Sequence, residues 1–191
     1  DLPLKWLSNN NDLHSEDRVI EAAYNGSFGM KICAEQTGAP RAYNHMYAYP
    51  PLGDRQSAEI SLYWRSPNYS NNARYVFGVG QRTPTTDRFA QIAYFHDVAG
   101  GVYEWQLFQA GGYAPIPGSE RIWQGHWHEL TFACNFATGG YLYARSDRLV
   151  FNLGHIALPD GGMPTPAYMY ATIGVEDRAA AETCMHVDDV W

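Results

Sequence analysis

Ile122 to Leu158 reads IWQGHWHELTFACNFATGGYLYARSDRLVFNLGHIAL, and this stretch decides the fold because it holds three strand signals and their turns in unbroken order. In HWHELTFACNF, Leu130, Phe132, Cys134 and Phe136 fall on one side. Trp127, Glu129, Thr131 and Asn135 fall on the other, the period-two pattern of a half-buried strand. Ala137-Thr138-Gly139-Gly140 follows as a turn, since paired glycines reach positive φ without a Cβ penalty and close antiparallel hairpins. YLYAR resumes the alternation, Ser146-Asp147 turns the chain again, and RLVFNL is a third run. No helical period interrupts the block.

The same grammar extends in both directions. AEISLYWR sets Ile60, Leu62 and Trp64 against Glu59, Ser61, Tyr63 and Arg65. ARYVFGVG, RFAQIAYF and VYEWQLFQ are further strands, separated by turn clusters such as PNYSNN and QRTPTTD. Strands recur roughly every 12–15 residues with Gly, Pro, Asn or Asp between them, the spacing of a sandwich and not of βαβ units. The chain of 191 residues suits one such domain. Residues 1–17 read as an N-terminal arm and loop, with Trp6 and Leu7 covering either this domain's own sheet or a neighbouring subunit, and residues 18–191 as a single β-sandwich. RAAAE, at Arg178–Glu182, is the one helical turn expected.

The central block resembles the middle of a laminin-G-like or concanavalin-A-like jelly roll, through G-x-W-H-x-L-T-F, the Gly-bearing turn, Y-L-Y and L-V-F. Arg18 to Ile32 and the closing CMHVDDVW are similar to the opening and last strands of such domains. Arg145-Ser146-Asp147-Arg148 departs from the family's usual Asp-Gly turn. The resemblance implies an all-β, two-sheet antiparallel jelly-roll sandwich of about 11–13 strands, and a structural calcium near the last strand, at Asp188 or Asp189. The alternative for these two acids is a solvated edge. Because the superfamily spans lectins, adhesion modules, glycoside hydrolases and polysaccharide lyases, fold does not select the function.

Catalytic signatures of the superfamily are missing at the level of motif. Family-16-type glucanases carry E-x-D-x-E on one strand face, whereas GVEDR and HVDDV put their acids side by side and so on opposite faces. Alginate-lyase-like members carry a Q-I-H strand, an arginine-rich strand and a Tyr-bearing strand. Gln91-Ile92 is present here, but Ala93 stands where the catalytic His would be, and His96 points the other way. No nucleophile elbow, zincin or phosphate-loop motif occurs. His126 and His128 have a spacing that permits metal chelation; the alternative is a partly buried His128 with a backbone partner and a His126 in the preceding turn.

Aromatic residues make up 15% of the chain and charged residues only 17%, so the surface is polar through amides and hydroxyls. Aromatic rings stack on the C–H face of a pyranose while Arg and amides take its hydroxyls. Tyr63, Arg65, Tyr94, Tyr103, Trp105, Tyr141 and Tyr143 are therefore the candidate ligand-binding residues. The net charge of −7 argues against nucleic acid or an anionic membrane as partner. Cys33, Cys134 and Cys184 lack metal-site spacing and are either three buried thiols or one disulfide and a free thiol. Asn25 and Asn68 head glycosylation sequons. The chain begins at Asp1 without a targeting segment, which reads as a mature extracellular or cell- or virion-surface protein. The first functional expectation is a non-catalytic glycan-binding or adhesion module without a cofactor, its partners being glycans or other copies of itself. A structural subunit of an extracellular assembly (filament, capsid decoration or tail protein) is the alternative, and a glycoside hydrolase or polysaccharide lyase the second alternative.

Overall fold

A computed structural model describes the backbone of residues 6–10, 13–19, 24, 29–35, 42–48, 56–67, 72–161, 167–177 and 182–190, and side chains from residue 24 onward, those of residues 35 and 42–48 excepted. Fourteen strands and no helix occur among the described residues. The first sheet runs, edge to edge, through β1 (Trp6–Asn10), β4 (Ala42–Ala48), β13 (Tyr168–Asp177), β6 (Asn72–Arg82), β7 (Asp87–Asp97), β8 (Val102–Gln109) and β9 (Gly112–Pro115). The second runs through β12 (Leu149–Asn152), β11 (Gly140–Ser146), β10 (His128–Asn135), β5 (Ser57–Arg65), β14 (Thr183–Asp188), β3 (Gly29–Glu35) and β2 (Leu13–Val19). Neighbouring strands in both sheets are antiparallel. No described helix is long and apolar enough to cross a membrane.

The decisive block folds as its alternation dictates. Leu130, Phe132, Cys134 and Phe136 are buried, Gly139 takes φ +68° in the first turn, and Asp147 takes φ +52° in the second. Asp tolerates that left-handed conformation better than most residues, which is how Arg145–Arg148 turns without the usual glycine. Between the sheets lies one aromatic cluster around Trp64. The rings of Tyr75, Phe77, Trp105 and Tyr94 stand 5.2, 5.2, 5.9 and 6.0 Å from it. Such pairs add about 0.5–1.5 kcal/mol each beyond the area they bury.

Two expectations are corrected. Residues 6–10 and 13–19 are not an arm: β1 pairs with β4 and β2 with β3, so this segment closes one edge of each sheet. These strands, with β9 inside the Gly/Pro-rich AGGYAPIPGS stretch, take the count to fourteen, above the expected 11–13. Short, polar edge strands lack the hydrophobic alternation by which interior strands are read. The side chains of Trp6 and Leu7, the sequons at Asn25 and Asn68, and residues 178–181 of the expected helical turn lie outside the described residues.

Candidate functional site

β6 is the fourth of seven strands in its sheet, and its two faces differ in side-chain size. Tyr75, Phe77 and Val79 enter the core, whereas Arg74, Val76, Gly78, Gly80 and Arg82 alternate onto the outer face. The register sets Ala93 of β7 beside Val76 and Gly174 of β13 on its other side, so the middle of this face is floored by small residues. Taller groups stand around it. Tyr170 lies over Gly80 so closely that a Cβ there would come within 2.2 Å of the ring, and Phe89, Phe108 and Tyr113 border the floor toward β9. Tyr43, His45 and Tyr47 of β4 pair in register with Glu176, Gly174 and Thr172; their side chains are outside the described residues.

One buried polar network crosses this face. Arg74 Nη1 donates to Glu176 Oε2 at 3.1 Å, while its Nε and Nη2 donate to Gln106 Oε1 at 3.2 and 3.1 Å. Gln106 Nε2 donates to Glu104 Oε1 at 2.7 Å. Arg74, Gln106 and Glu176 are only 5%, 6% and 4% exposed, and a buried guanidinium persists only when paired in this way. Its Cζ lies 4.1 Å from the centroid of Tyr113 and 5.1 Å from that of Phe95. The Tyr113 hydroxyl donates to Gln91 Oε1 at 2.8 Å. Farther along β6, Arg82 is ion-paired with Asp87 and lies 5.1 Å from the Tyr168 ring. The Asp87 hydrogen bond holds the Arg82 guanidinium above its ordinary pKa despite burial.

The seven expected ligand residues do not share a surface. Tyr94, Trp105 and Tyr141 are core residues, at most 1% exposed, which corrects their assignment to a recognition face. Each keeps one polar atom in an otherwise apolar setting. The Tyr94 hydroxyl accepts the Ile122 N–H, and burial pushes its pKa up to about 12. Tyr141 accepts the Gln91 N–H and donates to the Phe108 carbonyl. Trp105 shares its side of β8 with buried Leu107, while Glu104 and Gln106 turn outward into the Arg74 network, so the expectation for this strand had its faces reversed. Half-buried Tyr103 stacks under Arg121 at 4.2 Å. Tyr63, Arg65 and Tyr143 lie together on the outer face of the second sheet.

The remaining candidates are structural in their contacts. Cys33 and Cys184 form a disulfide between β3 and β14, and Cys134 is a buried thiol whose pKa burial raises to about 12. His128 is buried, its Nδ1 facing Asp147 Oδ2 at 2.7 Å and its Nε2 facing the Trp123 carbonyl at 3.0 Å; His126 is exposed in the preceding turn. Asp188 accepts the Tyr24 N–H on Oδ2 and the Asp189 N–H on Oδ1. Among the described residues the one group of three possible metal ligands is Cys33, Glu182 and Cys184, and its thiols are oxidised. Two sulfurs joined in a disulfide and one carboxylate do not fit calcium, which takes six to eight oxygens.

The residues that do converge, Arg74, Gln91, Gln106 and Tyr113, were missed except for the Gln91-Ile92 pair. They come from four strands, and only register brings them together. No family model matches this sequence, and no curated protein matches it. Among solved structures, the chain is similar to an endo-β-1,4-glucuronan lyase from the fungus Trichoderma reesei, with TM-score 0.63 and 9% identity over 96% of this chain and 88% of that one. It is also similar to a glycoside hydrolase family protein from Mycobacterium thermorestibile, with TM-score 0.53 and 14% identity over 97% and 92%. A carbohydrate esterase from a Shiga toxin-encoding bacteriophage gives TM-score 0.50 and 11% identity over 96% and 90%. At such identities the likeness is one of fold, and the fold is the concanavalin-A-like jelly roll.

Proposed function

We propose that this chain is a polysaccharide lyase that binds a uronic-acid polymer across the outer face of the first sheet and cleaves it by β-elimination. The observation that carries the reading is the meeting of Tyr113 with Gln91 and Arg74: a hydroxyl held at 2.8 Å by an amide, with a guanidinium over its ring. Elimination takes the proton from C5, beside the uronate carboxylate, forms the C4–C5 double bond and breaks the bond from C4 to the glycosidic oxygen. That carboxylate must be met by a donor while C5 loses its proton, which is the task of the half-buried Gln91 amide, with the buried Arg74 guanidinium supplying positive charge behind it. Tyr113, as phenolate with the Gln91 amide turned to present its N–H, takes the C5 proton and returns it to the departing oxygen, so neither water nor metal is consumed and the side chain ends as it began.

Hydrolysis fits less well. Glu104 and Glu176 are the outer-face carboxylates of this network, and they share a register row with Phe95 and Arg74 between them. Three strand spacings put their backbones about 14 Å apart, and the Arg74 and Gln106 side chains stand between their carboxylates, whereas the two carboxyl groups of a glycosidase face one another across roughly 5–9.5 Å. The similarity to a glucuronan lyase supports the choice of substrate class, and the disulfide supports a location outside the reducing cytosol.

The test is release of unsaturated uronides from polyglucuronate and alginate, followed by ultraviolet absorbance. Tyr113→Phe is expected to lower turnover about 10²-fold or more while polymer binding persists. Binding of a uronate polymer without any unsaturated product from the wild-type protein would return the chain to the class of non-catalytic glycan-binding modules.

A further inference from the structure

The outer face of the second sheet, on the opposite side of the sandwich, carries a different combination of groups. Tyr63 of β5 is stacked on Tyr24, with ring centroids 3.9 Å apart and planes 17° from parallel. Trp127 packs edge-on against Tyr24 at 5.5 Å, and Arg65 lies 5.0 Å from the Trp127 ring. Tyr24 remains 47% exposed, so this ledge is open to solvent. Beside it is a depression of about 450 Å³ lined by Glu59, Ser61, Glu129, Thr131, Tyr143 and Arg145, with Val150 at its rim. The two are continuous, because Tyr63 pairs directly with Glu129, and Ser61, two residues along β5, pairs with Thr131.

We infer that this ledge and depression form a second glycan-binding site, for a neutral polysaccharide. A flat aromatic surface offers the C–H faces of pyranose rings a stacking partner. The adjoining polar groups offer donors and acceptors at the level where the hydroxyls would lie. Charge selects the ligand: the depression holds the carboxylates of Glu59 and Glu129 against the single guanidinium of Arg145, an excess of negative charge that disfavours a polyuronate or a nucleic acid. Its groups are ordered before any ligand arrives. Tyr143 donates to Glu59, Arg145 to Glu129, and the Ser61 and Thr131 hydroxyls are 2.8 Å apart, so a sugar meets a pre-formed surface. The site is independent of the lyase reading, since none of its residues touches the Arg74 network across the core.

Affinity electrophoresis in gels containing hydroxyethyl cellulose, a neutral glucan, tests the inference on the whole protein. Retardation of the wild type is expected, with Tyr63→Ala and Trp127→Ala weakening the apparent affinity about tenfold and Tyr113→Phe leaving it unchanged. Tyr143→Phe, which removes one exposed hydroxyl, is expected to weaken it about threefold and keeps the test valid if Tyr63→Ala lowers the melting temperature. No retardation of the wild type, unchanged retardation of Tyr143→Phe, or loss of retardation in Tyr113→Phe would each overturn the second site. None of these outcomes bears on uronide release, which stands or falls by its own assay.

Discussion

At the scale of the residue, His128 shows how a buried polar group couples stability to pH. Both ring nitrogens face acceptors, Asp147 Oδ2 and the Trp123 carbonyl, so the imidazolium satisfies both with its two N–H groups. Burial alone would lower its pKa, but the Asp147 hydrogen bond, the Trp123 carbonyl and the Asp147 charge outweigh burial and raise it above the ordinary 6.5. Burial opposes Asp147 in the other direction, yet bonds from His128 and the Glu129 N–H hold it below its ordinary 3.8. A raised histidine stabilises the fold fully below its unfolded value and loses that contribution as pH rises through the folded one; a lowered aspartate contributes above its unfolded value and loses it on acidification. The pair therefore contributes most between about pH 4 and 6.5. Melting temperatures across pH should fall on the alkaline side of that window, and the part of the fall due to this pair should vanish in His128→Gln. Trp105 makes a second residue-level case: it is fully buried among Trp64, Phe77 and Tyr94, so Trp105→Ala should cost about 3–5 kcal/mol in denaturant unfolding. Loss of glycan binding with unchanged stability would instead place it on a recognition face.

Elements matter here through their edges and their close approaches. β1 and β2 cover the outer edges of β4 and β3, whose backbone groups would otherwise be free to pair with another chain. Deleting residues 1–19 should produce a protein that aggregates on concentration, read by light scattering; a monomer that melts at the wild-type temperature would restore the segment to the status of a free arm. On β6, Gly80 is held small by the Tyr170 ring above it. Gly80→Ala should displace that ring and alter the floor of the proposed cleft, raising KM for a uronate polymer while leaving the aromatic core near Trp64, monitored by near-ultraviolet circular dichroism, unchanged.

For the whole molecule, the Cys33–Cys184 bond ties an early strand to the last one across a sequence separation of 151 residues. In the chain-entropy account, closing a loop of that length disfavours the unfolded state by about 5 kcal/mol. Both sulfurs are buried beside one another in adjacent strands, so reduction should be slow in the native state and fast once it unfolds. Cys33→Ser/Cys184→Ser is accordingly expected to lower the midpoint of denaturation and to steepen its slope, because the unlinked unfolded chain is more expanded. Equal midpoints for the double variant and the wild type would show that the covalent link adds nothing to this fold.

The amino-acid sequence by itself determined the all-β class, the meander from β10 to β12, the grouping of Ile60, Leu62 and Trp64 and of Leu130 and Phe132 on one side of their strands, and the turns around Gly139 and Asp147. All of these depend on neighbours a few residues apart, where a period of two and turn chemistry operate. Which side of β8 faces the core was undecidable at that range, because VYEWQLFQ has an apolar residue on either face and the choice rests on what β5 and β6 present to it. The polar edge strands β1 and β2 were hidden for a related reason: an edge strand is specified by a partner's unpaired backbone as much as by its own side chains. The Arg74, Gln91, Gln106 and Tyr113 group is a product of register between β6, β7, β8 and β9. Only the tertiary structure decided it, since a shift of one residue in any of these pairings would send the same side chains to the opposite face.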